Sequence, residues 1–115
     1  MPNVYKNAQV SGTASVGTYS TLYKTPTSST SAVISTLVIC NTSASAQTYR
    51  IGIMSTEGTP SGQNFIVYDS PIASKDTVAL SLGITLPASA SDNNVIRISS
   101  SNAGVEFHAF ISEVT

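Results

Sequence analysis

Strict apolar–polar alternation recurs along this chain and no segment carries a helical stripe, which confines the fold to β architecture. Gln47–Met54 sends Tyr49, Ile51 and Ile53 to one side and Thr48, Arg50 and Gly52 to the other. Thr77–Leu86 repeats the pattern with Val78, Leu80, Leu82 and Ile84, and Val105–Val114 repeats it with Val105, Phe107, Ala109 and Ile111. Successive side chains of a strand point to opposite faces, so a period of two means one buried face and one open face.

Between these runs stand turn residues. Pro26 with Thr27–Thr30, the cluster Asn41-Thr42-Ser43, the run Glu57–Gly62, Pro71, the run Pro87–Asn93 and the tight Asn102-Ala103-Gly104 all interrupt extended structure. They delimit further strands at Ser20–Thr25, Ala32–Cys40, Phe65–Ser70 and Asn94–Ser100, the last turning Ile96 and Ile98 inward. Short strands with turns every eight to twelve residues predict an all-β fold: a seven- or eight-stranded β-sandwich, Ig-like or jelly-roll-like. Trp is absent, so the Cys–Trp–Cys pattern of true immunoglobulin domains is missing.

Residues 1–19 differ. They are rich in Gly, Ser, Thr and Ala, with Val4, Tyr5, Val10, Val16 and Tyr19 scattered among them. They read as an extended N-terminal arm, with residues 20–115 forming the β-sandwich domain. Arms of this kind often pair with a neighbouring subunit by adding a strand to an exposed sheet edge, the alternative being a merely flexible terminus. Tyr5 and Tyr19 in the arm, and Phe110 out of phase with Phe107, are candidate surface aromatics. With Val4 and Val10 they are the expected assembly contacts.

Charge excludes several partners. Five Lys and Arg stand against six Asp and Glu in 115 residues, and the basic residues are spread singly. Nucleic-acid binding needs a basic footprint, so neither nucleic acid nor an anionic membrane is an expected partner. The longest apolar run, Leu37–Cys40, is far too short to span a bilayer. The polar surface is instead hydroxyl-rich, with 20 Ser and 14 Thr. Such a weakly charged surface gives little mutual repulsion between copies. The lone Cys40 allows no intrachain disulfide and reads as a buried, inert thiol. The opening residues lack the apolar core of a secretion signal, which predicts synthesis and retention in a cytoplasm.

Groups for chemistry are sparse. His108 shares a strand face with Glu106, but a metal site needs a third ligand, so no metal and no cofactor are expected. No Gly-x-Ser-x-Gly elbow or Gly-rich phosphate loop occurs, so no catalytic residue is assigned. Asp69, Asp76 and Asp92 lie beside turns, where acids cap the backbone. A carbohydrate-binding surface would place Tyr or Trp beside acids, and Tyr68-Asp69 is the one adjoining Tyr–acid pair.

Three stretches resemble small structural proteins of phage virions. Thr21-Leu22-Tyr23-Lys24-Thr25-Pro26 followed by Ser31–Ser43 is similar to a recurrent opening in these proteins. Phe65–Ile72, Asp76-Thr77 and Leu82–Leu86 are similar to their middle, and Val95–Ile98 through Phe107 to Thr115 to their ending. The resemblance is strongest to virion proteins of marine and freshwater phages, including cyanophages, and covers residues 20–115. Lys24-Thr25 departs from the Thr-Val that more often precedes the proline. The resemblance implies a non-enzymatic virion protein made in the bacterial host cytoplasm. It would serve as a capsid decoration or cement protein, or alternatively as a tail, neck, baseplate or fibre adaptor. A receptor- or carbohydrate-binding module is the remaining alternative. The expected partners are the major capsid protein or tail components, and further copies of the chain as a trimer or hexamer.

Overall fold

A computed structural model describes residues 3–89 and 93–114. Nine strands are present among them: β1 Asn3–Ser11, β2 Ser20–Lys24, β3 Ser31–Asn41, β4 Gln47–Met54, β5 Phe65–Ile72, β6 Thr77–Leu80, β7 Ile84–Leu86, β8 Val95–Ser100 and β9 Val105–Val114. They build two antiparallel sheets, face to face. Sheet A has the order β1-β9-β3-β6, with β7 also on β3, and sheet B the order β2-β8-β4-β5.

The run Thr77–Leu86 is two strands rather than one. β7 pairs with Ala32–Ile34 of β3 and β6 with Leu37–Cys40, so both lie along the same edge. Ser81–Gly83 break the ladder between them, and Leu82 is exposed instead of facing inward. Counted as one interrupted strand, they reduce nine strands to eight, four in each sheet. Of the sequential neighbours, β4 and β5 pair directly, while the chain otherwise passes largely from sheet to sheet. This two-sheet wiring is jelly-roll-like. The turn Asn102–Gly104 therefore carries the chain from sheet B to sheet A instead of closing a hydrogen-bonded hairpin.

The core fills the space between the sheets. Val105, Phe107, Ala109 and Ile111 of β9 meet Ile34, Leu37 and Ile39 of β3, and across the gap Tyr49, Ile51, Ile96 and Ile98. Phe107 packs edge-on against Tyr49, with ring centroids 6.1 Å apart. In β3 the register shifts between Ile34 and Thr36. This one-residue bulge reverses the parity, so Ala32 and Ile34 face the core before it and Leu37, Ile39 and Asn41 after it. Cys40 consequently lies on the outer face, half-buried, instead of in the core.

The N-terminal residues belong to the sandwich. Asn3–Ser11 pairs along its whole length with Val114–Glu106 of the same chain. Ala8 and Val10 pack against the core, which is why the segment lies flat here as an edge strand rather than as a free arm. Lys6 adds an ion pair at 2.9 Å to Glu113, a buried carboxylate that also accepts a hydrogen bond from the Tyr23 hydroxyl of sheet B. One buried charge thus joins β1, β9 and β2, and its pairing is what makes its burial tolerable.

Beyond β1 the chain crosses from sheet A to sheet B through a tight passage. The Gly12 N–H donates to the Val105 carbonyl at 2.7 Å. A Cβ on Gly12 would fall 2.1 Å from the Ser100 hydroxyl and 2.6 Å from the Val105 carbonyl, so only glycine passes. Buried Thr13 then exchanges hydrogen bonds with Ser100. Its N–H donates to Ser100 Oγ at 3.0 Å, and its hydroxyl accepts the Ser100 N–H at 2.9 Å. Residues 14–19 continue over the outer face of sheet B, where the Val16 carbonyl accepts from the Ser99 hydroxyl at 3.1 Å.

Candidate functional site

The two outer faces of the sandwich differ in construction. On sheet A the outward positions of β1, β9 and β3 form one open surface. Tyr5 stands opposite Ser112, which stands opposite Val33, and Phe110 lies one pair further on, opposite Asn7 and Thr36. Tyr5 is 78% exposed, and Val33 and Phe110 45% each. They line a shallow depression of about 310 Å³ with Lys6, Ser35, Ile111 and Ser112. Large apolar side chains gathered on one open face make this a candidate contact surface.

Further along the same face lie His108 and Glu106. Glu106 accepts a hydrogen bond from the Ser11 hydroxyl at 2.9 Å, and His108 stands between Gln9 and Val38. Among the described residues no three His, Cys, Asp or Glu side chains come close enough together to hold a metal ion.

On sheet B the outer face is built up into a groove of about 600 Å³. Its floor is Arg50 of β4 and its walls are Tyr19, Phe65 and Tyr68. Pro60, Ser61 and Gly62 form the rim. Two irregularities of β5 set the walls. Opposite Arg50 the strand carries Tyr68 and Asp69 against one residue of β4, and a second register shift follows between Ile51 and Gly52. Asp69 takes a left-handed φ of 51°, a conformation uncommon outside glycine but tolerated best by Asp and Asn. The bulge aims Asp69 at Arg50.

The Arg50 guanidinium is held from several sides. Nε and Nη2 donate to the two Asp69 carboxylate oxygens at 2.6 and 3.2 Å, and Nη1 to the Val16 carbonyl at 3.1 Å and Tyr19 Oη at 3.0 Å. Tyr68 lies over it, with the guanidinium carbon 4.1 Å from the ring centroid, and Phe65 meets Tyr68 edge-on at 4.9 Å. The hydrogen bonds that Arg50 donates to Asp69, and then to Tyr19, push its pKa still further above its usual value. Hydrogen bonding to Arg50 in turn holds Asp69 below the ordinary carboxylate range. Both groups stay ionised and cancel each other.

The rim is fixed by contact with the strand below it. A Cβ on buried Gly52 would stand 3.0 Å from Pro60 Cβ, so the proline ring rests on bare backbone. The Ser61 N–H donates to Asn64 Oδ1 at 3.0 Å and the Asn64 N–H returns to the Ser61 carbonyl at 2.9 Å.

The five assembly contacts expected from the sequence are dispersed. Tyr5 and Phe110 meet on the outer face of sheet A. Val4 is exposed on β1 but alternates to the other side from Tyr5, and Val10 is turned against the core. Tyr19 joins the groove on sheet B. Sequence reasoning missed Val33, and it missed Arg50 and Phe65 as partners of Tyr68-Asp69. A cation alternating onto the polar face of Gln47–Met54 was the available signal. Of the three acids read as turn caps, Asp76 does accept a backbone N–H, that of Thr77 at 2.9 Å. Asp69 instead pairs with Arg50, and Asp92 lies outside the described residues. No family model, curated protein or solved structure matches the chain.

Proposed function

We propose that the chain is a non-enzymatic structural subunit on the surface of a phage particle, a decoration protein that grips the capsid through the outer face of sheet A. The observation that carries this reading is the open apolar patch of Tyr5, Val33 and Phe110, beside the long free edge of β1. Edge strands offer unpaired backbone groups to another chain. Among the described residues the other edges are shorter or interrupted: β5 carries bulges and Pro71, β6 and β7 are separated at Ser81–Gly83, and β2 has five residues, which leaves the nine-residue β1 as the longest regular edge. The resemblance of residues 20–115 to virion proteins supplies the phage context. Jelly-roll domains also build many viral capsids, and that support is analogy at the level of fold. Repetition over a particle makes weak individual contacts sufficient, and the near-zero net charge lets copies pack closely. The partners are the major capsid protein and further copies of this chain in a trimer or hexamer.

Quantitative mass spectrometry and cryo-EM of purified particles test the proposal. Hundreds of copies over the head support decoration. A few copies at the tail, neck or baseplate replace it by the adaptor role, and absence from the particle overturns the virion reading.

A further inference from the structure

The groove on sheet B has no part in the assembly surface, and its construction asks for a ligand of its own. We propose that it binds a neutral saccharide, with one sugar ring stacked on Tyr68.

The charge balance comes first. A guanidinium has five N–H donors. In Arg50 four of them are directed to Asp69, Val16 and Tyr19, leaving one on Nη2. The cation is neutralised by the carboxylate beside it, so neither an anion nor a cation gains a free counter-charge here.

The platform comes second. Tyr68 is 59% exposed although Arg50 covers one face of its ring and Phe65 abuts its edge. With more than half of the residue exposed, the ring surface not taken by these two neighbours faces solvent, and the two contacts fix the ring's orientation. A fixed aromatic face loses little freedom on binding, which is the condition for weak polar ligands to be held at all. The apolar C–H face of a pyranose ring packs flat on such a surface.

The hydrogen-bonding groups come third. The hydroxyls of Tyr68, Tyr19 and Ser61 both donate and accept, Asp69 only accepts, and the spare Arg50 N–H only donates. Asp69 follows Tyr68 directly and is about two-fifths exposed, so its outer lone pairs remain open. Vicinal sugar hydroxyls each donate and accept, and can satisfy an acceptor and a donor lying side by side. A proline-rich peptide, the other ligand suited to aromatic grooves, offers mainly carbonyl acceptors and would cover Asp69 without a donor for it. The volume lies within the usual range for small-ligand sites, roughly 300–1,000 Å³.

The isolated, isotopically labelled chain is the material for the test, so its outcome is independent of any particle. Maltohexaose, cellohexaose and N-acetylchitohexaose are titrated in turn while backbone amide NMR shifts are followed. At least one of the three is expected to move the amides of Ser61, Gly62, Tyr68 and Asp69, with a Kd of about 1 mM as suits an open groove. Tyr68→Ala should weaken that binding at least about tenfold, the loss typical of a central aromatic contact. Tyr68→Phe, which keeps the ring, should retain binding, and His108→Ala on the far sheet should leave it unchanged. The proposal is overturned if none of the three sugars shifts these amides, or if Tyr68→Ala binds as the parent does. It is equally overturned if Tyr68→Phe loses as much as Tyr68→Ala, or if an acidic oligosaccharide or a decaproline peptide binds the same amides more tightly.

Discussion

Thr13→Val is the substitution that reads out most directly how the N-terminal residues are held. The side chain is 6% exposed, and valine replaces its hydroxyl by a methyl group of similar volume. The hydroxyl accepts the Ser100 N–H at 2.9 Å and stands 3.1 Å from the Ser100 carbonyl and 2.9 Å from that of Ser15. Ser100 is fully buried, so its N–H has no water to turn to once the oxygen is gone. An orphaned buried donor costs about 1–3 kcal/mol, and the weakened carbonyl contact adds a smaller amount, for a total of about 2–3 kcal/mol. Against roughly 6–17 kcal/mol for a domain of this length, that is a large share. The expected fall in Tm is on the order of 10 °C. Urea unfolding followed by far-ultraviolet circular dichroism should show a lower midpoint with an unchanged slope. Thr18→Val is the control. Its hydroxyl meets the Ser15 hydroxyl at 3.2 Å on the exposed surface, and its loss should stay within about 0.5 kcal/mol. A cost below about 0.5 kcal/mol for Thr13→Val would refute the account of a chain anchored at Gly12 and Thr13.

Other tests address the core, the buried charge and the surface. Phe107→Ala empties the centre of the sandwich and should cost about 3–5 kcal/mol in the same unfolding assay. Burial, then the hydrogen bond to Glu113, push the Tyr23 pKa well above its ordinary value of 10.0. The folded chain therefore keeps this proton where the unfolded chain releases it, so the stabilisation is full below pH 10 and drains away as pH rises further, by up to about 1.4 kcal/mol per pH unit. Tyr23→Phe should flatten that alkaline decline while lowering stability at neutral pH, and an unchanged decline would contradict the assignment. The depressed Asp69 pKa works in the other direction: the stabilisation from its pairing with Arg50 is full above the usual value of 3.8 and drains as pH falls from there to the lower folded value, at which the pair itself breaks. Saccharide shifts in the groove should weaken in that acid range before the chain unfolds. Tyr5→Ser with Phe110→Ser should leave the unfolding midpoint nearly unchanged yet remove the protein from purified particles.

The sandwich was legible in the chain where alternation ran unbroken. Gln47–Met54 and Val105–Val114 are strands with the expected bounds, because in each a single parity separates core from solvent. It was less legible where the backbone breaks parity. In β3 the extra residue at the bulge moves the inward set from Ala32 and Ile34 to Leu37 and Ile39, so Cys40 reads as core in a simple apolar count and lies outside. The same cause hid the groove. Tyr68 and Asp69 share one position opposite Arg50 because β5 bulges, and pairing register across strands has no local signature. Residues 1–19 were misleading for a different reason: small hydroxyl residues look like a projecting arm until Thr13 and Ser100 are seen to satisfy one another.

That N-terminal stretch is also what makes the two faces of the molecule different. Its first half, β1, adds to the edge of sheet A and leaves that sheet's outer surface bare, with Tyr5 beside Phe110. Its second half crosses at Gly12 and lies over sheet B, where the Val16 carbonyl and Tyr19 close one side of the Arg50 site. A flat apolar face suits a rigid protein partner, while a walled polar and aromatic groove suits a small flexible ligand. A particle-bound subunit that used the first to dock would present the second to solvent, since the two lie on opposite sides of one sandwich. Repeated over many copies, even millimolar contacts at that outward groove would add up to firm attachment, provided the spacing of the copies matches the spacing of the sugars.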